Sequence, residues 1–402
     1  MYEIREAREE DREQSVELLV KVFRDIDGYQ EDWIHSWRNY MNRPEYEDWN
    51  YIATHNGEVV ANLAFFANNN NLIRGGQVRY GGVWAVAVDS DHRKKGLLRR
   101  IYEQTFQSMR DKSITLSILE TSPYEGAQPA YERLGYEVVE KRVRHEFTPS
   151  GLRPINADET ITVRKLTDEK EVNLISQLER TMTRFGSTAF NWPGFFIGGI
   201  KAGHHYVFER NEEPVGCVNL LFLEKSTGKE LHLLNTYFSS DDILPTILRF
   251  VGTHASEVSK VVWNCNLNIP VRILFQHVYS LSTTTDGAMM MRVVDFPGYC
   301  KSIKIPEELN LELTLRIVDN ECPWNEGLYR IRCHEGSLIV EEGDSKVSPD
   351  FVLKPNELSR IVGGIEAPSV LQKMGLVNCD SSVVEKLDAI FPRDSFISHF
   401  RF

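Results

Sequence analysis

Apolar positions recur along the chain at two spacings, helical and alternating, and their order predicts the elements. Val16, Leu18, Leu19, Val22 and Phe23 share one side of an amphipathic helix near the start. Extended runs follow at Tyr51 to Thr54 and Val59 to Phe66, and the Asn-Gly pair of His55-Asn56-Gly57-Glu58 between them is a hairpin-turn signal. From Val83 to Val88 every residue is apolar, which predicts a strand buried on both faces. Asp89 to Asp91 break that run. Leu97, Leu98, Ile101, Tyr102, Thr105 and Met109 then recur at helical spacing. Ile114, Leu116 and Ile118 alternate with Thr115 and Ser117 as a strand does. A short helix over about Ala127 to Leu134, with Gly135 at its C-cap, leads to extended chain at Glu137 to Val143.

A break at Gly151-Leu152-Arg153-Pro154 opens a second segment whose order echoes the first. Its strands are read at His205 to Glu209, Val215 to Leu223 and Leu231 to Phe238, with a helix from Asp241. A third segment starts around Met291-Arg292-Val293-Val294-Asp295, with strands at Leu311 to Asp319, Leu328 to Cys333 and Ser337 to Glu342. Helices close it. Pro355 suits a first helical position before Leu358, Ile361 and Val362, and Asp380 suits the cap of a helix carrying Val383, Val384, Leu387 and Ile390. Strands followed by helices read as α+β. The 402 residues exceed what one core supports, so the expected units are 1–150, 151–290 and 291–402.

Composition adds mainly exclusions. Hydrophobic content of 42% and charged content of 26% are those of an ordinary globular protein. A charged start and the lack of any apolar run near eighteen residues lead us to expect a soluble, cytoplasmic chain with no membrane span. The six cysteines show no C-x-x-C spacing, so neither a zinc site nor a disulfide framework is expected. His92 and the pair His204-His205 have no metal-like partners at fixed offsets. The net charge of −12 argues against nucleic acid and is compatible with cationic amines. Gly198-Gly199 and Gly363-Gly364 read as turns.

Candidate chemistry is concentrated between the strand at Val83 to Val88 and the helix after it, where Arg93, Lys94 and Lys95 precede Gly96. A helix N-terminus offers unpaired N–H groups and a partial positive charge, and glycine lets a phosphate approach the backbone. Cations placed there oppose the helix dipole, a conflict that an anion seated among them removes; a solvated basic face is the alternative. In the second segment the same slot holds Ser239, Ser240, Asp241 and Asp242. Two carboxylates suit the dipole but repel a pyrophosphate, so that unit is expected to be catalytically silent.

Arg93-Lys94-Lys95-Gly96-Leu97-Leu98 after a V-x-V strand resembles the acetyl-CoA motif of the GCN5-related N-acetyltransferases (GNAT). Leu98 stands where that motif has Gly or Ala, and Ser90 where many members have Pro. The R-x-x-G-L-L-R form resembles the enhanced intracellular survival (Eis) branch, and the length and the R-V-V-D stretch fit it as well. The resemblance implies two tandem GNAT folds, the second degenerate, followed by a sterol-carrier-like α+β domain. It implies acetyl-CoA as cofactor, held by Val86, Ala87, Val88, Arg93, Lys94, Lys95, Gly96, Leu97 and Leu98. It also implies a small-molecule amine as acceptor and a homo-oligomer, a hexamer built from trimers.

Acetyl transfer to an amine needs a neutral amine, donors to the developing oxyanion and an acid for the leaving thiolate. Backbone N–H groups of Trp84 to Val88 can serve the oxyanion if that strand is splayed from its neighbour, as it is in the family. Tyr131, in Pro129-Ala130-Tyr131-Glu132-Arg133-Leu134-Gly135-Tyr136, matches the family's Y-x-x-x-G-Y/F motif and is the candidate acid. Its other reading is a tyrosine packed on a short helix, and Tyr136 reads as core. The Eis resemblance points to the α-carboxylate of Phe402 as proton acceptor. Three phenylalanines and an isoleucine among the last seven residues favour a docked tail. An α-carboxyl with pKa about 3.5 is a weak base at neutral pH, so it would anchor the ammonium and relay its proton through water. Glu120 is the rival base.

For the acceptor, Glu31, Asp32, Trp33, Trp37, Tyr40, Glu45, Tyr46, Glu47, Asp48 and Trp49 mix carboxylates with aromatics, which suits a polycationic amine such as an aminoglycoside or a polyamine. Trp33, Trp37 and Tyr40 also fit the buried face of a helix. A reading from a different class is a catalytically weak acyl-CoA sensor or a lipid-binding protein acting through its third unit.

Overall fold

The structure is a computed structural model describing residues 1–24, 38, 49–68, 72–121, 127–153, 156–167, 174, 178, 203–254, 256–266, 271–344 and 346–393. Strand β1 (Tyr2–Glu6) leads into helix α1 (Arg12–Phe23), which buries Val16, Leu18 and Leu19. The hairpin β2 (Asn50–His55) and β3 (Glu58–Asn68) turns at Asn56 and Gly57, both at positive φ. After the small pair β4 (Leu72–Ile73) and β5 (Gly76–Gln77) come β6 (Tyr80–Val88), α2 (Leu97–Asp111), β7 (Leu116–Thr121), α3 (Gln128–Arg133) and β8 (Glu137–Phe147).

The repeat of this order is β9 (Ile161–Lys165), β10 (His204–Arg210), β11 (Glu213–Lys225), β12 (Gly228–Phe238), α4 (Leu244–Gly252), β13 (Lys260–Asn266) and β14 (Leu281–Val293). Both halves lie in one 12-stranded sheet of order β1-β2-β3-β6-β7-β14-β8-β13-β12-β11-β10-β9. Among the described residues of this sheet, β6 with β7 and β12 with β13 pair in parallel and the other neighbours antiparallel. The halves exchange their last strands. β14 lies between β7 and β8, and β8 lies between β14 and β13. The expected boundary at 290 therefore falls inside β14, whose residues 288–293 pair with β7 of the first half.

The last unit comprises α5 (Phe296–Ser302), β15 (Glu312–Ile317), β16 (Gly327–His334), β17 (Ser337–Glu342), β18 (Phe351–Leu353), α6 (Pro355–Gly363), α7 (Pro368–Lys373) and α8 (Ser381–Ile390). Its sheet, ordered β17-β16-β15-β18, shares a continuous core with the long sheet. Ile317, Phe351, Leu358, Ile361 and Leu387 pack in one cluster with Leu116, Ile118, Val139, Met289 and Met291. The third unit is thus fused to the first through apolar burial rather than tethered by a linker. No helix among the described residues is long and apolar enough to cross a membrane.

Two local expectations change. The strand through Val83 to Val88 is not buried on both faces, since Trp84, Ala85, Val86 and Val88 are half-exposed where β6 parts from its neighbour. Asp380 stands at the N-cap of α8 in extended conformation, but its side chain makes no capping bond. Pro355 opens α6 as expected, and Gly364 ends it in the left-handed region at φ +67°.

Candidate active site

β6 and β7 form a parallel ladder from Tyr80 with Leu116 to Val83 with Leu119, and there the pairing stops. β6 runs on to Val88, so the two strands open into a cleft. The opening has a cause within β6. Ala85 takes φ +50°, and two residues of β6 are passed over where β3 pairing steps from Ala64 with Trp84 to Asn62 with Ala87. Such a bulge bends a strand and breaks its ladder. It is held by Asn62, whose Nδ2 donates to the Ala85 carbonyl at 2.8 Å while its Oδ1 accepts from Asn50 Nδ2 at 3.1 Å. Asn62 is 1% exposed inside an otherwise apolar strand, and that lone polar residue in V-V-A-N-L-A-F-F was the signal for it in the sequence.

At the open end of β6, Asp89 closes a short turn over Ser90–His92 by accepting from the Asp91 N–H at 3.0 Å. Burial would raise its carboxyl pKa, but Lys21 at 2.6 Å and the Asp91 amide hold it below the usual carboxylate range. Asp89 therefore spends its charge on Lys21. Arg93 and Lys95 instead bond backbone carbonyls, those of Val88 at 3.2 Å and Asp91 at 2.9 Å. Arg93, Lys94, Lys95 and Gly96 are all exposed. Lys94 and Gly96 take φ of +60° and +73°, and α2 begins at Leu97 with no side chain capping its first turn.

This donor set fits a pyrophosphate. Uncapped amides at the head of a helix of fifteen residues, left-handed turns on either side of Lys95 and three cations are the parts of an anion cradle. A Cβ at Gly96 would meet no atom within 4 Å, so the demand for glycine is conformational. Leu97 is buried, and Leu98 packs on the cluster that also holds Val86, Val88 and Tyr131.

Tyr131 lies on α3, with its ring 6.3 Å from Tyr102 of α2 and 6.0 Å from Tyr136. Burial pushes its phenol up to about 12, so it stays protonated at neutral pH. Tyr136 is core, as expected: it is fully buried and its hydroxyl shares a 2.5 Å hydrogen bond with Ser117. Glu120, half-buried, is the residue of β7 that follows the last ladder pair, at the mouth of the cleft. Phe402 lies outside the described residues, as do the acceptor candidates Glu31, Asp32, Trp33, Trp37, Tyr40, Glu45, Tyr46, Glu47 and Asp48 and the pair Gly198-Gly199. Trp49 is described; its ring packs edge-on against Phe65 at 5.1 Å.

The second half reproduces the cleft without the cradle. Pairing of β12 with β13 ends at Leu233 and Trp263 while β12 runs on to Phe238. The following turn, however, carries Asp241 and Asp242. Asp242 and Asp158 both bind Arg210, at 2.8 and 2.7 Å, so the cation of this corner is already taken.

Residues 3–139 match the family model of an acetyltransferase (GNAT) domain, and residues 298–397 match that of a sterol carrier protein domain. No curated protein matches the sequence. Among solved structures, a GCN5-related N-acetyltransferase from Anabaena variabilis ATCC 29413 is 18% identical, with TM-score 0.85 over 100% of both chains. One from Kribbella flavida is 19% identical, with TM-score 0.81 over 100% of this chain and 98% of that one. Eis1 from Mycobacterium abscessus is 14% identical, with TM-score 0.75 over 100% of both. At these identities the likeness establishes the fold along the whole chain.

Proposed function

We propose that the chain, which carries a GNAT acetyltransferase domain at one end, a sterol carrier protein domain at the other and an Eis-like fold throughout, is an acyltransferase that moves an acetyl group from acetyl-CoA to a primary amine by direct attack on the thioester. The observation that carries this is the coincidence of the β6/β7 cleft with the uncapped cationic head of α2. Bound there, acetyl-CoA supplies an activated acetyl thioester.

The chain's own residues do the rest. Amides of α2 with Arg93, Lys94 and Lys95 hold the pyrophosphate, and Gly96 permits the close approach. Backbone N–H groups of β6 beyond the end of the ladder donate to the carbonyl oxygen as negative charge develops on it. Tyr131 donates its phenolic proton to the departing thiolate. Being a weaker acid than an ordinary phenol, it is fully protonated when the thiolate departs. The incoming ammonium loses its proton to the Phe402 carboxylate or to Glu120. The acceptor is an aminoglycoside or polyamine-like amine drawn to the carboxylates and aromatics that precede Trp49 in the sequence, and the second half has a structural or pocket-lining role without binding a second acetyl-CoA. The assembled form is a homo-oligomer.

The test is thiol release from acetyl-CoA with a panel of aminoglycosides, polyamines and lysine peptides. Acceptor-dependent release that falls about a hundredfold or more in Tyr131→Phe is expected. Tight acyl-CoA binding with no release across the panel would favour the sensor. To separate the two proton acceptors, the chain is extended past Phe402, which abolishes transfer and spares acetyl-CoA binding if that carboxylate is used; undiminished turnover assigns the role to Glu120.

A further inference from the structure

Helix α3, which carries Tyr131, is six residues long. A helix that short satisfies few of its own carbonyls and has little rigidity of its own. Its end is held by side chains from β14 of the long sheet and from α6 of the last unit. Arg292 Nη1 donates to the Leu134 carbonyl at 2.6 Å, and Ser359 Oγ to that of Gly135 at 2.9 Å. Asn356 Nδ2 donates to two carbonyls, Glu132 and Tyr136, each at 2.9 Å. Gly135 itself sits at φ +87°, and a Cβ there would stand 2.1 Å from Arg292 Nη1 and 2.5 Å from Pro355. The turn and its clamp are therefore in close contact.

The three donors do different work. Arg292 and Ser359 are fully buried, and Arg292 also carries the ion pair to Asp319, so both serve the junction as a whole. Asn356 is half-buried, and its own helix does not need it. The start of α6 is closed by Glu357, which accepts from the Lys354 N–H at 2.8 Å, and α6 packs through Leu358, Ile361 and Val362. The Asn356 amide is left to bridge the residue after Tyr131 and the residue that ends the turn.

We propose that Asn356, in the sterol carrier domain, is a positioning residue for transfer in the acetyltransferase domain. By bridging Glu132 and Tyr136 it fixes the end of α3 and so the direction of the Tyr131 phenol. This rests on Tyr131 being the acid proposed above. A proton donor must be aimed within a few tenths of an ångström, so loosening its helix lowers the chemical step and leaves binding alone.

The experiment uses the full chain with Asn356→Ala, Tyr131→Phe and the double variant. Asn356→Ala is expected to lower kcat roughly tenfold with KM for acetyl-CoA unchanged, and to lower nothing further in the Tyr131→Phe background, where no proton remains to be aimed. Asn356→Asp, of the same size but facing two carbonyls with a carboxylate, should be at least as slow; it decides the matter should the alanine variant fail to fold. Equal losses in both backgrounds, or an unchanged kcat, overturn the proposal. Hydrogen exchange separates this failure from that of the Tyr131 assignment. Amides 131–136 should exchange faster in Asn356→Ala even if Tyr131→Phe proves active, and unchanged exchange there overturns the clamp itself.

Discussion

Between β6 and α2 the chain sets Arg93, Lys94 and Lys95 before Gly96, whereas between β12 and α4, at the same place in the repeat, it sets Ser239, Ser240, Asp241 and Asp242. The strands around both turns are alike. Among the described residues each half has one parallel pair, and each pair opens after four rungs. The shared frame is thus written in buried apolar residues such as Val83, Leu119, Leu233 and Trp263, while the difference lies in residues that are exposed or, at Ser239 and Ser240, half-buried. Fold and surface charge are therefore separable in this repeat, because charges at the turn can change without disturbing the packing beneath.

The contrast can be pressed from several sides. The largest effect is expected where the first half meets the last unit. Arg292 is fully buried, pairs with Asp319 at 2.7 Å, touches Cys322 Sγ at 3.0 Å and lies over the Phe106 ring at 4.6 Å. Arg292→Leu leaves Asp319 buried without its cation and should cost about 3 to 5 kcal/mol in urea unfolding. In the second half Arg210→Leu removes contacts that solvent already screens and should shift the urea midpoint far less. Similar losses would break the distinction between a structural and a surface ion pair.

Next comes the turn itself. Reversing Arg93, Lys94 and Lys95 to Glu together should lower kcat/KM for acetyl-CoA at least about a hundredfold, while Asp241→Lys with Asp242→Lys leaves it within about twofold. A smaller change is expected for Gly96→Ala. Its φ of +73° strains any other residue by about 1 kcal/mol, which should raise KM for acetyl-CoA roughly fivefold. The smallest effect is one of pH. Because burial pushes Tyr131 up to about 12, its acid form persists as pH rises and is lost only on approach to that value. The kcat profile should therefore show no descending limb assignable to Tyr131 below about pH 10, and a limb near the ordinary phenol value that vanishes in Tyr131→Phe would contradict this.

Much of the first half was legible because its signals are local. The apolar run before Asp89, the basic turn with Gly96, the helical spacing of Ile101, Thr105 and Met109, and Gly135 after the short helix each speak within a few residues. The exchange of β8 and β14 was not legible, since strand pairing across more than a hundred residues leaves no periodicity in either strand. The bulge at Ala85 was hidden for another reason. Alanine carries no preference for positive φ, and only the buried Asn62 betrays the support it needs. The clamp on α3 was likewise out of reach, because Asn356 sits 220 residues from its Tyr136 partner and looks like any polar residue at a helix start.

On the proposed reading the first half binds acetyl-CoA and the second does not. Calorimetric titration of the full chain with acetyl-CoA measures this directly. One site per chain is expected, lost when Arg93, Lys94 and Lys95 are reversed together and kept when Asp241 and Asp242 are replaced. Two sites per chain, or one site that survives the reversal, would contradict it.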